Sequence, residues 1–444
     1  MFSLGGHMFR TIVGLFALGL FFAQAAVAQD GTRFTPRDRD IVLEDIANTI
    51  DQYYFDEERA GEIAADLRAA DFSEQTTKEA FADAVTAFLY DYDRHFSVRY
   101  IGEDMATEIL SGPGDSDGGG FNPLDDLRRR NFGFQEVSIL PGNVGYIDLR
   151  QFAPADVAGD TATAALDFVA NTDAVIFDVR QNGGGAPSMV QLLISHFLDP
   201  SESIAINTFV SRNNAYPQQL NSLNYLPSVA RPDVPVIVLT SGRTGSAAEA
   251  FAYHLQAMDR ATIIGEVTAG AANPGDPFLT DIGGFSVFIS TGSARNPITG
   301  TNWETVGVAP DVETNAADAL DSALLAAYDQ LLESDADEDR KQFWQWGREE
   351  VATRLTPVEV DAEALAEVAG TYGPRQVFVE DGVLYYTRDG RPPIVLTPVG
   401  EDRFLYGDDS GFRVVFDRNR RGAVTALTIE SLSQPPSTSP RDES

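Results

Sequence analysis

Ser246 stands where a side chain could do chemistry. It closes the segment Thr240-Ser-Gly-Arg-Thr-Gly-Ser246, which follows the apolar run Pro235-Val-Ile-Val-Leu239 and precedes an Ala-rich stretch, Ala247 to Met258. The run predicts a buried strand and the Ala-rich stretch a helix, so the hydroxyl stands at a helix N-terminus. There the helix dipole and free backbone N–H groups stabilise developing negative charge. The same position suits a plain N-cap, because Glu249 three residues on completes a capping-box pattern. A second segment, Asp178-Val-Arg-Gln-Asn-Gly-Gly-Gly185, leaves a strand and opens into three glycines before a helix. Such glycines let backbone N–H groups approach an oxyanion, although a tight strand-to-helix turn would also use them. No Gly-Lys-Ser/Thr or GxGxxG spacing follows, which weighs against a phosphate cradle.

A nucleophilic serine needs a proton acceptor. The lysines are Lys78 and Lys341, both beside acidic residues in helical or linker segments. A deprotonated lysine needs an apolar site, so a Ser–Lys pair is improbable. Cysteine is absent, which removes thiolate nucleophiles and thiolate metal sites, and the sequence implies neither a metal nor a cofactor. His254 lies on the same predicted helix as Ser246, roughly 12 Å further along its axis, and reads as a core or surface helix residue. His196 falls late in the helix after the glycine segment and reads as structural. Elimination leaves His95, in the polar turn Asp91-Tyr-Asp-Arg-His-Phe-Ser-Val98. Neutral near pH 7, it could take the serine proton and return it to a leaving group. Glu304 and Asp93 are both candidates to hold its tautomer; the sequence does not rank them.

These residues need elements to position them. Residues 36–110 predict a helical, amphipathic N-terminal domain, with Ile41, Ile46, Ile50 and Tyr54, then Phe81, Val85, Phe88 and Leu89, at helical spacing. Ser111 to Gly120 has the turn chemistry of a mobile surface loop. Across 130–333, the strand-like runs Val144 to Leu149, Ala174 to Val179, Pro235 to Leu239 and Ala261 to Gly265 alternate with helices near 155–170, 188–198 and 247–258. That alternation predicts an α/β core built from βαβ units. A last helix, 316–333, runs into a charged stretch, Glu333 to Lys341, read as a domain boundary. Residues 356–432 alternate in short runs split by Asp-Gly and Asp-Asp turns, which predicts a small antiparallel β domain, barrel-like or sandwich. The Pro- and Ser-rich tail 433–444 reads as disordered.

The chain has 444 residues and is 43% hydrophobic and 10% aromatic, enough for two or three cores. Residues 1–28 read as a signal peptide: Arg10, an apolar run from Ile12 to Phe22, then Ala26-Val27-Ala28. A periplasmic or secreted protein follows, with no membrane insertion after cleavage. The formal charge of −35 argues against nucleic acid and anionic lipid as partners. Without disulfides, packed cores must hold the exported chain.

Together, Asp178 to Gly185, Thr240 to Glu249, Gly265-Glu-Val-Thr-Ala-Gly270 and Trp303-Glu-Thr-Val-Gly-Val-Ala-Pro-Asp311 resemble the C-terminal-processing (tail-specific) peptidases and the related tricorn core proteases. Asp93-Arg-His95 is similar to the family's Asp-x-His turn. The resemblance spans about 40–330. It implies a ClpP/crotonase-like core and a serine peptidase acting on peptide or protein substrates. Ser246 matches the family nucleophile, and the N–H groups of Gly184 and Ala247 match its oxyanion hole. Ala271 stands near where the tail-specific branch carries its general-base lysine. The sequence therefore resembles the tricorn-like branch, and His95 and Glu304 fall where that branch places its relay. Arg94 replaces a serine that assists this relay, and 100–140 is too short for the PDZ domain many members carry. The resemblance also allows a non-catalytic reading, since retinoid-binding repeats of similar fold hold apolar ligands. A small-molecule esterase would use the same residues.

Overall fold

The computed structural model describes residues 34–111, 123–212, 214 and 216–442. The signal-like segment and nearly all of the 111–120 loop fall outside that range. Among the described residues no helix is long and apolar enough to cross a membrane.

The fold is α/β with an N-terminal helical region and a C-terminal antiparallel sheet. The central sheet has six strands. Val144–Leu149, Ala174–Asp178, Val236–Thr240, Thr262–Gly265 and Val312–Glu313 run parallel, and Phe134–Leu140 pairs antiparallel with the first of them. Every residue of Ala174–Asp178 and Val236–Thr240 is buried, as central strands covered on both faces must be. Helices Ala155–Phe168, Pro187–Ser195 and Ala247–Ala257 pack on one face, with Phe177, Val238 and Phe251 at the centre of that core. Helix Ala319–Leu332 covers the other face through Ala323, Ala327 and Tyr328. Because the strands are parallel, the loops leaving their C-terminal ends gather at one edge, where ligands bind in such sheets.

The N-terminal helices Pro36–Tyr53, Glu57–Ala69 and Lys78–Leu89 are each N-capped, by Thr35, Asp56 and Thr77. Their buried faces close on a core shared with Phe285, Val287 and Ile289. Strand Ser97–Tyr100 pairs with Phe285–Ser290, which pairs in turn with Gly275–Leu279. The region therefore borrows strands from far along the chain, and this fixes the turn around His95 against the core.

Two expectations need correction at the C-terminal side. The charged stretch read as a boundary ends in a helix, Glu338–Leu355, capped by Asp337. Trp344 of that helix joins the core, while Trp346 receives the fully buried Arg413: its Nη2 donates to the Trp346 carbonyl at 2.7 Å and its guanidinium lies over the ring. Acidic residues mark the helix start rather than a linker, because they suit the first turn and its dipole. An eight-stranded antiparallel meander follows, from Gly370–Tyr372 to Ser437–Pro440. The tail read as disordered supplies its last strand, with Ser437–Pro440 pairing onto Ala426–Ile429. Arg375 donates to the Ser437 carbonyl and to the Ser437 and Ser439 hydroxyls, and Asp442 N–H reaches Thr371 of the first strand. The sheet nearly closes into a barrel. Backbone pairing and a buried guanidinium hold this strand, and neither depends on apolar side chains.

Candidate active site

Strand Val236–Thr240 ends in a turn tied to its neighbour. Thr244 Oγ1 donates to the Val179 carbonyl (2.9 Å), Ser241 Oγ to the Arg180 carbonyl (2.6 Å), and Gly245 N–H to the Asn182 carbonyl (3.0 Å). Ser246 follows at φ +52°, ψ −117°, a conformation that costs an L-residue about 1–3 kcal/mol. A serine on a sharp, strained strand-to-helix turn is the geometry that exposes a nucleophile's hydroxyl. Ser246 and Glu249 have the capping-box arrangement, yet the hydroxyl makes no cap hydrogen bond. Its strong half is the carboxylate: Glu249, fully buried, accepts from Ser246 N–H (2.7 Å), Thr268 Oγ1 (2.6 Å), Gly270 N–H (2.6 Å) and Ala271 N–H (3.0 Å). Burial pushes this carboxyl above its usual range and the four donors pull it back.

The glycine segment is braced by Asn182, also fully buried. Its Nδ2 donates to the Leu149 carbonyl (2.8 Å) and its Oδ1 accepts from Gly184 N–H (2.8 Å). Gly184 (φ +116°) lies against the nucleophile: a Cβ there would sit 2.7 Å from Ser246 Cβ and 3.0 Å from Ala247 N. The expected oxyanion donors thus divide. Ala247 N–H, at the helix start, has no partner among the described residues. Gly184 N–H, expected to face the site, is committed to Asn182; Gly183 is the exposed glycine that lines the cavity, and its N–H has no partner among those residues.

The turn carrying His95 is clamped from both sides. Asp93, fully buried, accepts from Tyr54 Oη (3.2 Å), His95 N–H (2.9 Å) and Asn273 Nδ2 (3.1 Å). Glu304 accepts from Arg94 N–H (3.0 Å), Ala272 N–H (2.7 Å) and Asn273 N–H (3.1 Å). A His95 ring nitrogen and one oxygen from each carboxylate lie within 4.8 Å of one another. Such a trio could ligate a metal, but every carboxylate oxygen already takes an N–H or O–H donor, which suits a hydrogen-bonded relay better. His95 Nδ1 is buried without a partner, and burial pushes the imidazole below its usual value against the pull of Asp93. Burial, then the charge of Asp93, pushes Glu304 up to about 7.

His95 and Ser246 line one cavity of about 350 Å³, together with Tyr90, Phe209, Phe288 and Trp303. No hydrogen bond joins the His95 ring to Ser246 or to either carboxylate among the described residues; such contacts often tighten only when substrate binds. His196 is buried away from the cavity, with Nδ1 on the Leu192 carbonyl. His254 is buried too, but lines the cavity's far end. Sequence reasoning passed over Glu249 as a brace, Asn182 and Asn273. The first was legible as the fourth residue of Ser-x-x-Glu; the other two carried no signal.

The Glu304 shift has consequences of opposite sign. If its carboxylate stabilises an imidazolium, kcat/KM should rise as pH passes through 7 and the carboxyl ionises. Its pKa is raised on folding, so its contribution to stability is full below the unfolded carboxyl range and lost as pH rises through 7. Urea midpoints should fall over the interval where activity climbs. In Glu304→Gln both trends should flatten, and an unchanged pH–rate profile in that variant would show that another group sets it.

Residues 143–314 match the family model described as peptidase family S41. That span holds the glycine segment, Ser246 and Glu304, while the His95 turn precedes it. The core is that of a serine-type peptidase. Over that stretch the chain is similar to the S41 peptidases. Among solved structures it is similar to a photosystem II D1 C-terminal processing protease (15% identity, 63% of this chain and 93% of that one, TM-score 0.40). It is also similar to a putative peptidase from Parabacteroides merdae (19%, 68% and 98%, TM-score 0.45) and to the tricorn protease (15%, 67% and 37%, TM-score 0.40).

Proposed function

We propose that this is an exported peptidase that cleaves peptide bonds through an acyl-enzyme on Ser246, with His95 as base and Glu304 as the carboxylate behind it. The observation that carries the reading is the strained Ser246 turn opening on the same cavity as His95, with Glu304 and Asp93 beside the imidazole. Ser246 Oγ attacks the scissile carbonyl carbon and its proton passes to His95. The oxyanion is held by Ala247 N–H and a donor from the glycine loop, with Gly183 N–H the one at hand. Collapse breaks the C–N bond, and His95 returns the proton to the leaving amine. Water then repeats the sequence, releasing the acid and restoring Ser246. Both carboxylates have their oxygens occupied; the place of Glu304 in the Trp303 to Asp311 motif, where the resemblance puts the relay, is what favours it over Asp93, which shapes the turn. Export rests on the signal-like residues 1–28, and the enzyme would then act in a periplasm or outside the cell.

The test is a fluorophosphonate probe on the folded protein at pH 7–8, with the adduct mapped by mass spectrometry. A single adduct on Ser246 is expected; another serine, or none, overturns the reading. In a peptide-library digest, His95→Ala should lower kcat/KM by about 10²–10⁴-fold. Full activity in that variant would remove His95 as the base while leaving the nucleophile standing.

A further inference from the structure

The cavity extends past the catalytic groups along helix Ala247–Ala257. Ala247, Ala250 and His254 line it in sequence from Ser246. The two alanines leave room beside the helix for a side chain to run toward His254. The lining also includes the apolar Val190, Ile206, Phe209, Leu220, Ala294 and Trp303, with the polar Asn207 among them. Against them His254 is a buried polar group with a defined tautomer. Asn296 Oδ1 accepts Ile298 N–H (2.8 Å) and Thr299 N–H (3.0 Å), which fixes the amide. Asn296 Nδ2 therefore faces His254 Nδ1, at 2.8 Å, as a donor. Nδ1 must accept, and the ring proton sits on Nε2. That Nε2–H is buried and has no partner among the described residues. Burial alone holds the imidazole down to about 3, so it stays neutral at any working pH. Trp303 and Tyr253 pack edge-on around the ring and fix its plane.

A buried donor left unpaired is costly, and a ligand bearing an acceptor would recover that cost. We propose that His254 sets the specificity of this cavity, its Nε2–H donating to a neutral acceptor at the tip of a long, otherwise apolar substrate side chain, tyrosine foremost. This rests on the peptidase reading above. The aromatic body of tyrosine suits the apolar walls, and its phenol oxygen meets the donor. A lysine or arginine would bring a cation to a donor. A carboxylate would bury a charge that a neutral imidazole does not balance. A carboxamide would carry two N–H donors into a cavity where the side-chain Oδ1 of Asn207, a buried polar group of its lining, already takes Thr208 N–H.

Peptides identical except for Tyr, Phe, Lys or Glu before the scissile bond test this with the full chain. Tyr should exceed Phe in kcat/KM by tenfold or more, roughly the value of one buried hydrogen bond, with Lys and Glu below both. In His254→Phe the Tyr/Phe ratio should fall to about one. The same peptides titrated onto Ser246→Ala protein separate the two readings. Tyr-selective binding without hydrolysis by the parent would sink the peptidase reading and keep the pocket. Hydrolysis with equal Tyr and Phe values would sink the pocket and keep the peptidase. Should His254→Phe not fold, ¹⁵N-histidine spectra of Ser246→Ala protein decide: the His254 Nε2–H resonance must move with the Tyr peptide and not with Phe. A resonance blind to the phenol overturns the proposal.

Discussion

Ser246→Ala and Ser246→Gly are expected to abolish turnover alike and to differ in stability. Each removes the hydroxyl, and the loss in kcat should reach roughly 10⁴-fold or more, the oxyanion donors retaining only background hydrolysis. The backbone tells them apart. At φ +52°, ψ −117° the position penalises any side chain, and alanine keeps the penalty that serine bears. Glycine removes it, at a cost of about 0.5–1 kcal/mol in unfolded-state freedom. Ser246→Gly should therefore be more stable than Ser246→Ala by about 1 kcal/mol, read from urea midpoints at constant m-value. Equal midpoints would mean that the turn stores no more strain than glycine's unfolded-state freedom costs, about 0.5–1 kcal/mol. The helix start would then be an ordinary cap that happens to carry a serine.

That comparison also shows what the chain reveals on inspection. The strands Val144–Leu149 and Ala174–Asp178 and helix Ala247–Ala257 follow from apolar runs and helical periodicity, because their burial is determined locally by the sheet and its covering helices. Ser246 was legible for the same reason, since a strand, a Gly-rich turn and an Ala-rich helix fix its place. The periodicity was less faithful at Ile41, which is exposed while its neighbour Val42 faces the core.

The less legible features depend on residues far apart in sequence. Asp93, Asn273 and Glu304 meet because strand Ser97–Tyr100 pairs with Phe285–Ser290, and no spacing encodes a long-range pairing. Gly184 illustrates the same limit at short range. Three glycines announce a close backbone approach, but which N–H faces the cavity is decided by Asn182, whose amide reaches both Leu149 and Gly184. The final strand Ser437–Pro440 is held by backbone pairing and Arg375, so a composition poor in apolar residues concealed it.

Glu249 is where a local pattern and a long-range one converge, and its replacement should be the most damaging to the fold of the site. Three of its four donors are backbone N–H groups, from Ser246, Gly270 and Ala271, and such groups only donate. Both carboxylate oxygens are used, so glutamine must turn its NH₂ toward at least one of them whichever way it is placed. Leucine leaves all four donors buried without an acceptor. At about 1–3 kcal/mol per orphaned group, less whatever relaxation and entering water recover, Glu249→Leu should cost about 3–5 kcal/mol and Glu249→Gln somewhat less. The chemistry should fall with it. Glu249 holds the Ser246 N–H directly and ties the nucleophile's turn to the loop 268–271, whose next residues, Ala272 and Asn273, hold Glu304. Loss of the carboxylate therefore loosens nucleophile and relay together. On protein still folded at low temperature, fluorophosphonate labelling of Ser246 should slow by about 10²-fold or more, since small misplacements of reacting groups cost that much. A Glu249→Gln protein that melts earlier but labels at the parent rate would make Glu249 a cap for the helix and nothing more. A slowed rate on folded protein makes it the residue that holds the serine in its strained turn.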